Sequence, residues 1–207
     1  MPVPLEPDKY YQIYNHANGN DDIFINESNY HYFLKKYAEY INPVTDTFAY
    51  CLMPNHFHFL IRLKEEKKLK EYFVKKYTRR YERAFQKSQT FGKLVSKEFS
   101  NLFSSYTQSF NKEQGRKGSL FMPNFKRKEV NDIKYLRKLV HYIHYNPVEH
   151  GFCEKIEDWK FSSYNTILSC KPTLLMREEV IELFEDRENI IYCHQYPPKL
   201  TGLQLFD

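Results

Sequence analysis

Two histidines one residue apart, His56 and His58, stand in the run Met53-Pro54-Asn55-His56-Phe57-His58-Phe59-Leu60-Ile61. In a β-strand, side chains alternate between faces. Both imidazoles would then point one way, and Phe57 and Phe59 the other, into a core. Neighbouring imidazoles pack poorly and hold a divalent cation well. Far along the chain comes His141-Tyr142-Ile143-His144-Tyr145-Asn146-Pro147. Tyr142 and Asn146 are four apart and share a helix face. A tyrosine hydroxyl beside a metal-bound phosphate is a competent nucleophile for phosphodiester attack, because the cation withdraws charge and orients the phosphorus. The amide oxygen of Asn146 suits a third, hard ligand for Mg²⁺ or Mn²⁺. Tyr145 and Tyr106 are rival nucleophiles. Tyr145 lies off the face that Tyr142 and Asn146 share, and Tyr106 sits in a helical stretch with Gln108 and Asn111. His141 and His144 fall on other faces and read as hydrogen-bonded surface histidines. Glu149-His150 reads as a cap on the following turn, with DNA contact as the other reading.

The elements that must position these groups follow from periodicity. Tyr10–His16 reads as a first strand, ended by Asn18-Gly19-Asn20-Asp21. Ser28 or Asn29 is expected to cap a helix to about Ile41, with Tyr30, Phe33, Leu34, Tyr37, Ala38 and Ile41 on its buried face. Thr45–Met53 and His56–Leu63 are the second and third strands. The short Pro54-Asn55 break makes them antiparallel neighbours. Helices are expected over Leu69–Phe85 and Leu94–Phe110. A fourth strand is expected within Ser119–Val130, which Pro123 sends to a sheet edge or delays. Asn131 or Asp132 caps a helix over Ile133–Asn146 that Pro147 should end, and a last helix covers about Met176–Phe184. Strand, helix, strand, strand, helices, strand, helix is the order of an α+β ferredoxin-like sandwich, a central antiparallel sheet with helices packed on it. The third strand is then central. The chain reads as one domain, with a core of about 8–165 and a C-terminal helical extension of about 166–207 that ends in a loose tail from Tyr196.

Composition narrows the partners. The 207 residues carry 31 Lys+Arg against 26 Asp+Glu, a formal charge of +5. The surplus is clustered over Lys64–Arg83 and Lys112–Lys128, where Lys75, Lys76, Arg79, Arg80, Arg116, Lys117, Lys126, Arg127 and Lys128 are candidate contacts to a nucleic-acid backbone. Such contacts confer salt dependence and little sequence preference. Base reading falls to aromatic platforms, which 18 Tyr and 17 Phe supply in abundance. Cys51, Cys153, Cys170 and Cys193 lack CxxC spacing and read as reduced thiols of a cytoplasmic, nucleoid-associated protein. No signal pattern and no run of membrane-span length is present.

The run AYCLMPNHFHFLI, then GRKGSLFMPNFKRK, then YIHYNPVEHGFC and DWKFSSY, resembles the REP-associated tyrosine transposases. These are single-tyrosine HUH enzymes, also called the insertion-sequence-200-like transposase domain. The resemblance covers about residues 8–165, with its motifs in the family's order. It implies an enzyme that binds imperfect-palindrome hairpins in single-stranded DNA, with His56 and His58 holding the metal, Tyr142 as nucleophile and Asn146 completing the metal site. Attack would leave a 5′-phosphotyrosine and a free 3′-hydroxyl, and a second transfer would reseal DNA without ATP. Insertion-sequence members often carry Gln where Asn146 stands. Asn is one methylene shorter, which leaves room for a bridging water in its ligation. The resemblance leaves open a monomer or a homodimer, with the tyrosine serving its own subunit or a partner's. A non-catalytic hairpin-binding protein on the same fold is the alternative. It predicts a lapsed site, whereas all four site residues are present. A small structural protein with no nucleic-acid role fits the basic, aromatic composition less well.

Overall fold

A computed structural model describes residues 3–77 and 91–199. Four antiparallel strands, β1 (Tyr10–His16), β2 (Thr45–Met53), β3 (His56–Leu63) and β4 (Lys126–Val130), form one sheet in the order β2-β3-β1-β4. β3 is central, as expected. β4 begins only after Pro123, the delayed start that was one of the two expectations, and it lies at the sheet edge.

The sheet is buried on both sides because alternate residues feed two separate cores. Phe57, Phe59 and Ile61 join Ile13 and Tyr11 beneath α1 (Glu27–Tyr40) and α3 (Phe91–Gln114), where Phe33, Tyr37, Phe99, Leu102 and Tyr106 meet them. Leu60, Ala49, Cys51 and Met53 face the other way, onto α4 (Ile133–Glu149) and its Leu136, Leu139, Val140 and Ile143. A register shift between Thr47 and Ala49 lets Phe48 join the same core as Ala49. α2 (Glu66–Tyr77) packs Leu69 and Phe73 into the first core.

Several boundaries differ from expectation. Asn26, not Ser28 or Asn29, caps α1, its side chain accepting from the Asn29 amide. Asp132 caps α4 as expected. Pro147 does not end α4, which runs on to Glu149. A proline this close to a helix end forfeits a single backbone bond, and the turn still closes through His150 N–H donating to Asn146 O.

The C-terminal segment is more ordered than a sequence pattern suggested. α5 (Tyr164–Leu168), α6 (Arg177–Leu183) and α7 (Arg187–His194) cover the outer flank of α4. The stretch before α5 and the link between α5 and α6 patch the exposed edge of β2. Leu52 N–H donates to Phe161 O, Ser163 N–H to Tyr50 O and Met176 N–H to Thr47 O. Among the described residues the four cysteines are free, and no helix is long and apolar enough to cross a membrane.

Candidate metal and nucleophile site

β3 and α4 bring together all four residues of the two sequence motifs. His56 and His58 leave the same face of β3, their ring centroids 5.3 Å apart and nearly perpendicular. Tyr142 comes down from α4 with its ring edge-on to His58, centroids 5.8 Å apart. One turn further along, Asn146 Oδ1 lies 3.3 Å from His56 Nε2. All four are at most 4 % exposed, within a single chain.

The atoms around His56 set its protonation. Nδ1 lies 2.7 Å from Asn55 Oδ1 and Nε2 3.3 Å from Asn146 Oδ1; both oxygens can only accept, and the shorter contact takes the single proton of a neutral ring, at Nδ1. Nε2 is then a lone pair, and it faces another lone pair, that of Asn146 Oδ1. Two acceptors turned toward each other in a buried site repel unless a cation lies between them. A separation near 3 Å is about that of adjacent ligands around Mg²⁺. His58 points to the same conclusion. Both of its ring nitrogens are buried without a hydrogen-bond partner, an omission that costs about 1–3 kcal/mol per group. Burial and the neighbouring His56, His16 and His150 hold its pKa well below the usual imidazole value, so the ring is neutral and fit to ligate. The donor set therefore fits a divalent cation. Among the described residues no three His, Cys, Asp or Glu side chains form a metal cage, and the third donor here is an amide.

More rings line the same face. Tyr14 stacks on His58 at 5.7 Å, and His16, cross-strand from His56, stacks on it at 4.8 Å within 12° of parallel. His150, the exposed C-cap of α4, meets His56 edge-on at 5.1 Å. Sequence reasoning passed over Asn55, Tyr14 and His16. The first stood in the strand break, and the others lie one strand away, visible only once β1 pairs with β3.

Tyr106 is held elsewhere. It donates to Ile23 O at 2.6 Å among the phenylalanines of the opposite core, and burial pushes its pKa up. Tyr145 is only partly buried, at the margin of the α4 core. His144 is not at the surface, contrary to expectation. It is fully buried, bonded to Ser163 and His194, because the C-terminal helices cover that flank of α4. His141 is half-buried against Tyr196 O.

The candidate DNA contacts scatter. Lys126 lies cross-strand from Tyr14, on the face of the histidines, and is exposed. Lys128 shares that face and donates to Tyr135 OH. Arg127 emerges on the reverse face, donating to Ser96 Oγ. There it lines a cavity of about 590 Å³ with Ser104, Gln108, Asn111 and Phe103, which the sheet separates from the histidines. Arg116 pairs with Asp21. Lys76 is committed to the fully buried Glu98 at 2.5 Å. Lys75 and Lys117 are exposed, and Arg79 and Arg80 lie outside the described residues.

With this geometry in hand, the known proteins it resembles are informative. A Haemophilus influenzae protein described as a putative REP-associated tyrosine transposase is 30% identical over 122 residues, 58% of this chain and 59% of its own. The REP-associated tyrosine transposase of Escherichia coli K12 is 31% identical over 68 residues, 33% of this chain and 41% of its own. Its relatives are REP-associated tyrosine transposases. The chain thus spans about three-fifths of the first transposase and two-fifths of the second. The structure of a REP-associated tyrosine transposase bound to a REP hairpin superposes with a TM-score of 0.55 over 83% of this chain and 87% of that one, at 17% identity. That likeness extends the transposase fold beyond the stretches where sequence similarity is detected. No family model matches the sequence.

Proposed function

We propose that this chain is a metal-dependent nicking and strand-transfer enzyme acting on single-stranded DNA beside a hairpin, with Tyr142 as nucleophile. The observation that carries the reading is the convergence, within one chain, of the Tyr142 ring on His58 and of Asn146 Oδ1 on His56 Nε2. The transposase relatives, one of them described as bound to a REP hairpin, supply the substrate class.

In this reading His56, His58 and Asn146 hold Mg²⁺ or Mn²⁺. Such a cation, when bound, withdraws charge from a phosphoryl oxygen and eases formation of a phenolate beside it. Tyr142 Oη bonds to phosphorus as the P–O3′ bond breaks. The phenol proton leaves to water and the departing 3′-oxygen takes one up. The products are a 5′-phosphotyrosine and a free 3′-hydroxyl. Attack by a 3′-hydroxyl on that linkage reverses the exchange and reseals the strand with no external energy source. Because all four groups are buried, strand entry must displace part of the rim, and exposed His150 stands there. Lys126, on the same face, is placed to meet the backbone.

Incubation with end-labelled hairpin DNA and Mn²⁺ tests this. An SDS-resistant adduct is expected from the unmodified chain and none above background from Tyr142→Phe. An adduct that persists in Tyr142→Phe overturns the assignment. His56→Ala and His58→Ala should each abolish the adduct while hairpin affinity stays within about threefold, since backbone contacts dominate affinity. A non-catalytic hairpin binder would bind and form no adduct under any of these conditions.

A further inference from the structure

α4 is gripped on the side turned away from Tyr142. His144 lies two residues on, about 200° round the helix, and is fully buried. Its Nδ1 is 3.0 Å from His194 Nε2, and its Nε2 is 2.7 Å from Ser163 Oγ. His194 Nδ1 is in turn 2.8 Å from Ile190 O. Ser163 Oγ also accepts from Tyr50 N–H at 2.8 Å.

Ser163 Oγ has two acceptors in reach, His144 Nε2 at 2.7 Å and Tyr50 O at 3.2 Å, and one arrangement of protons satisfies every contact with both rings neutral. Ile190 O can only accept, so His194 carries its proton on Nδ1 and offers a lone pair at Nε2. His144 must then donate from Nδ1 and accept at Nε2, and Ser163 supplies that proton. The order is Tyr50 N–H to Ser163, Ser163 to His144, His144 to His194, and His194 to Ile190 O. In this arrangement every ring nitrogen is satisfied. Burial drives both imidazoles toward the neutral form, His194 down to about 3. The groups facing this chain are His141, whose ring is 4.5 Å from that of His194, together with Tyr164 and Phe184. Among the described residues no Asp, Glu, Lys or Arg bonds to it.

The chain joins the edge of β2, the helix and α7, and a second polar contact on the same flank ties His141 to Tyr196 O just past α7. Together with the apolar stripe of α4, it holds the helix against turning about its axis. That rotation decides whether Tyr142 and Asn146 on the front meet the histidines of β3. We infer that the C-terminal segment is a brace for the nucleophile helix, acting through Ser163, His144 and His194 as positioning residues. The inference rests on the role proposed above for Tyr142.

His194→Leu keeps the bulk and removes the acceptor. His194→Gln restores an acceptor and a donor on one side chain. At saturating hairpin, His194→Leu should slow single-turnover adduct formation about tenfold or more, as small misplacements of reacting groups do. Hairpin Kd should move less than about threefold, since backbone contacts lie elsewhere. His194→Gln should recover most of the rate. Nitrogen-15 spectra of the unmodified chain should show both His144 and His194 as the Nδ1–H tautomer. Three outcomes would overturn the brace: an unchanged rate in His194→Leu, a Gln variant that recovers thermal stability without rate, or an Nε2–H tautomer at either ring. If the unmodified chain forms no adduct, the proposed reaction falls. The brace is then judged by the Tyr142–His58 ring contact. A nuclear Overhauser effect between them should weaken in His194→Leu, and an undiminished one would refute it.

Discussion

Asn55 shows how one residue outside a motif decides what the motif can do. A free imidazole exchanges its proton between two nitrogens. Asn55 Oδ1, 2.7 Å from Nδ1, holds the proton there and turns the Nε2 lone pair toward Asn146. Asn55 is exposed and contributes little to packing, so its loss should spare stability. Asn55→Ala is expected to weaken Mn²⁺ binding about 10–100-fold, the usual effect of removing a partner that orients a ligating histidine. Titration of Mn²⁺ followed by electron paramagnetic resonance measures it, and unchanged affinity would show that His56 needs no such partner. The stacked ring of His16 cannot substitute, because it constrains the plane of His56 and not its proton.

Among the elements, the N-terminal strap and α3 fit with no slack. Leu5 is buried in the first core, and Tyr11 OH ties the strap down, accepting from Glu6 N–H and donating to Pro4 O. The first turn of α3 passes beneath at Gly92, where a Cβ would stand 2.4 Å from Leu5 O. The obstacle is backbone, which cannot swing aside. Gly92→Ala should therefore destabilise the fold by about 1–3 kcal/mol, as overpacking does, despite alanine's better helix propensity. The midpoint of denaturant unfolding reads this directly, and a stabilised variant would mean that the strap is free to lift.

Across the whole molecule, charge is distributed less simply than its surplus suggests. Of the bases grouped along the chain, Lys76 neutralises buried Glu98, Arg116 is paired with Asp21, and Arg127 is turned to the reverse face. Lys126 remains exposed on the face of the histidines. Hairpin affinity should fall linearly with the logarithm of salt, and Lys126→Ala should flatten that slope by about 0.7–0.9, one phosphate contact on a single or double strand. Arg116→Gln should leave the slope as it was. Equal slopes for all three proteins, from binding isotherms at several salt concentrations, would place the DNA on another face.

What the sequence determined by itself depends on short-range pattern, though helix ends such as the Asn26 cap and the turn past Pro147 escaped it. The alternation in β3 put His56 and His58 together, the four-residue step in α4 put Tyr142 beside Asn146, and Pro123 marked an edge strand. Such features are set by backbone geometry within a few residues and need no knowledge of what packs against them. Tertiary structure decided what arises when distant segments meet. Tyr14 and His16 reach the site through strand pairing, Lys76 finds Glu98 across two helices, and a C-terminal segment with weak periodicity buries His144. A lone histidine or lysine on a helix looks the same in sequence whether solvent or another element covers it, and only the fold supplies the cover.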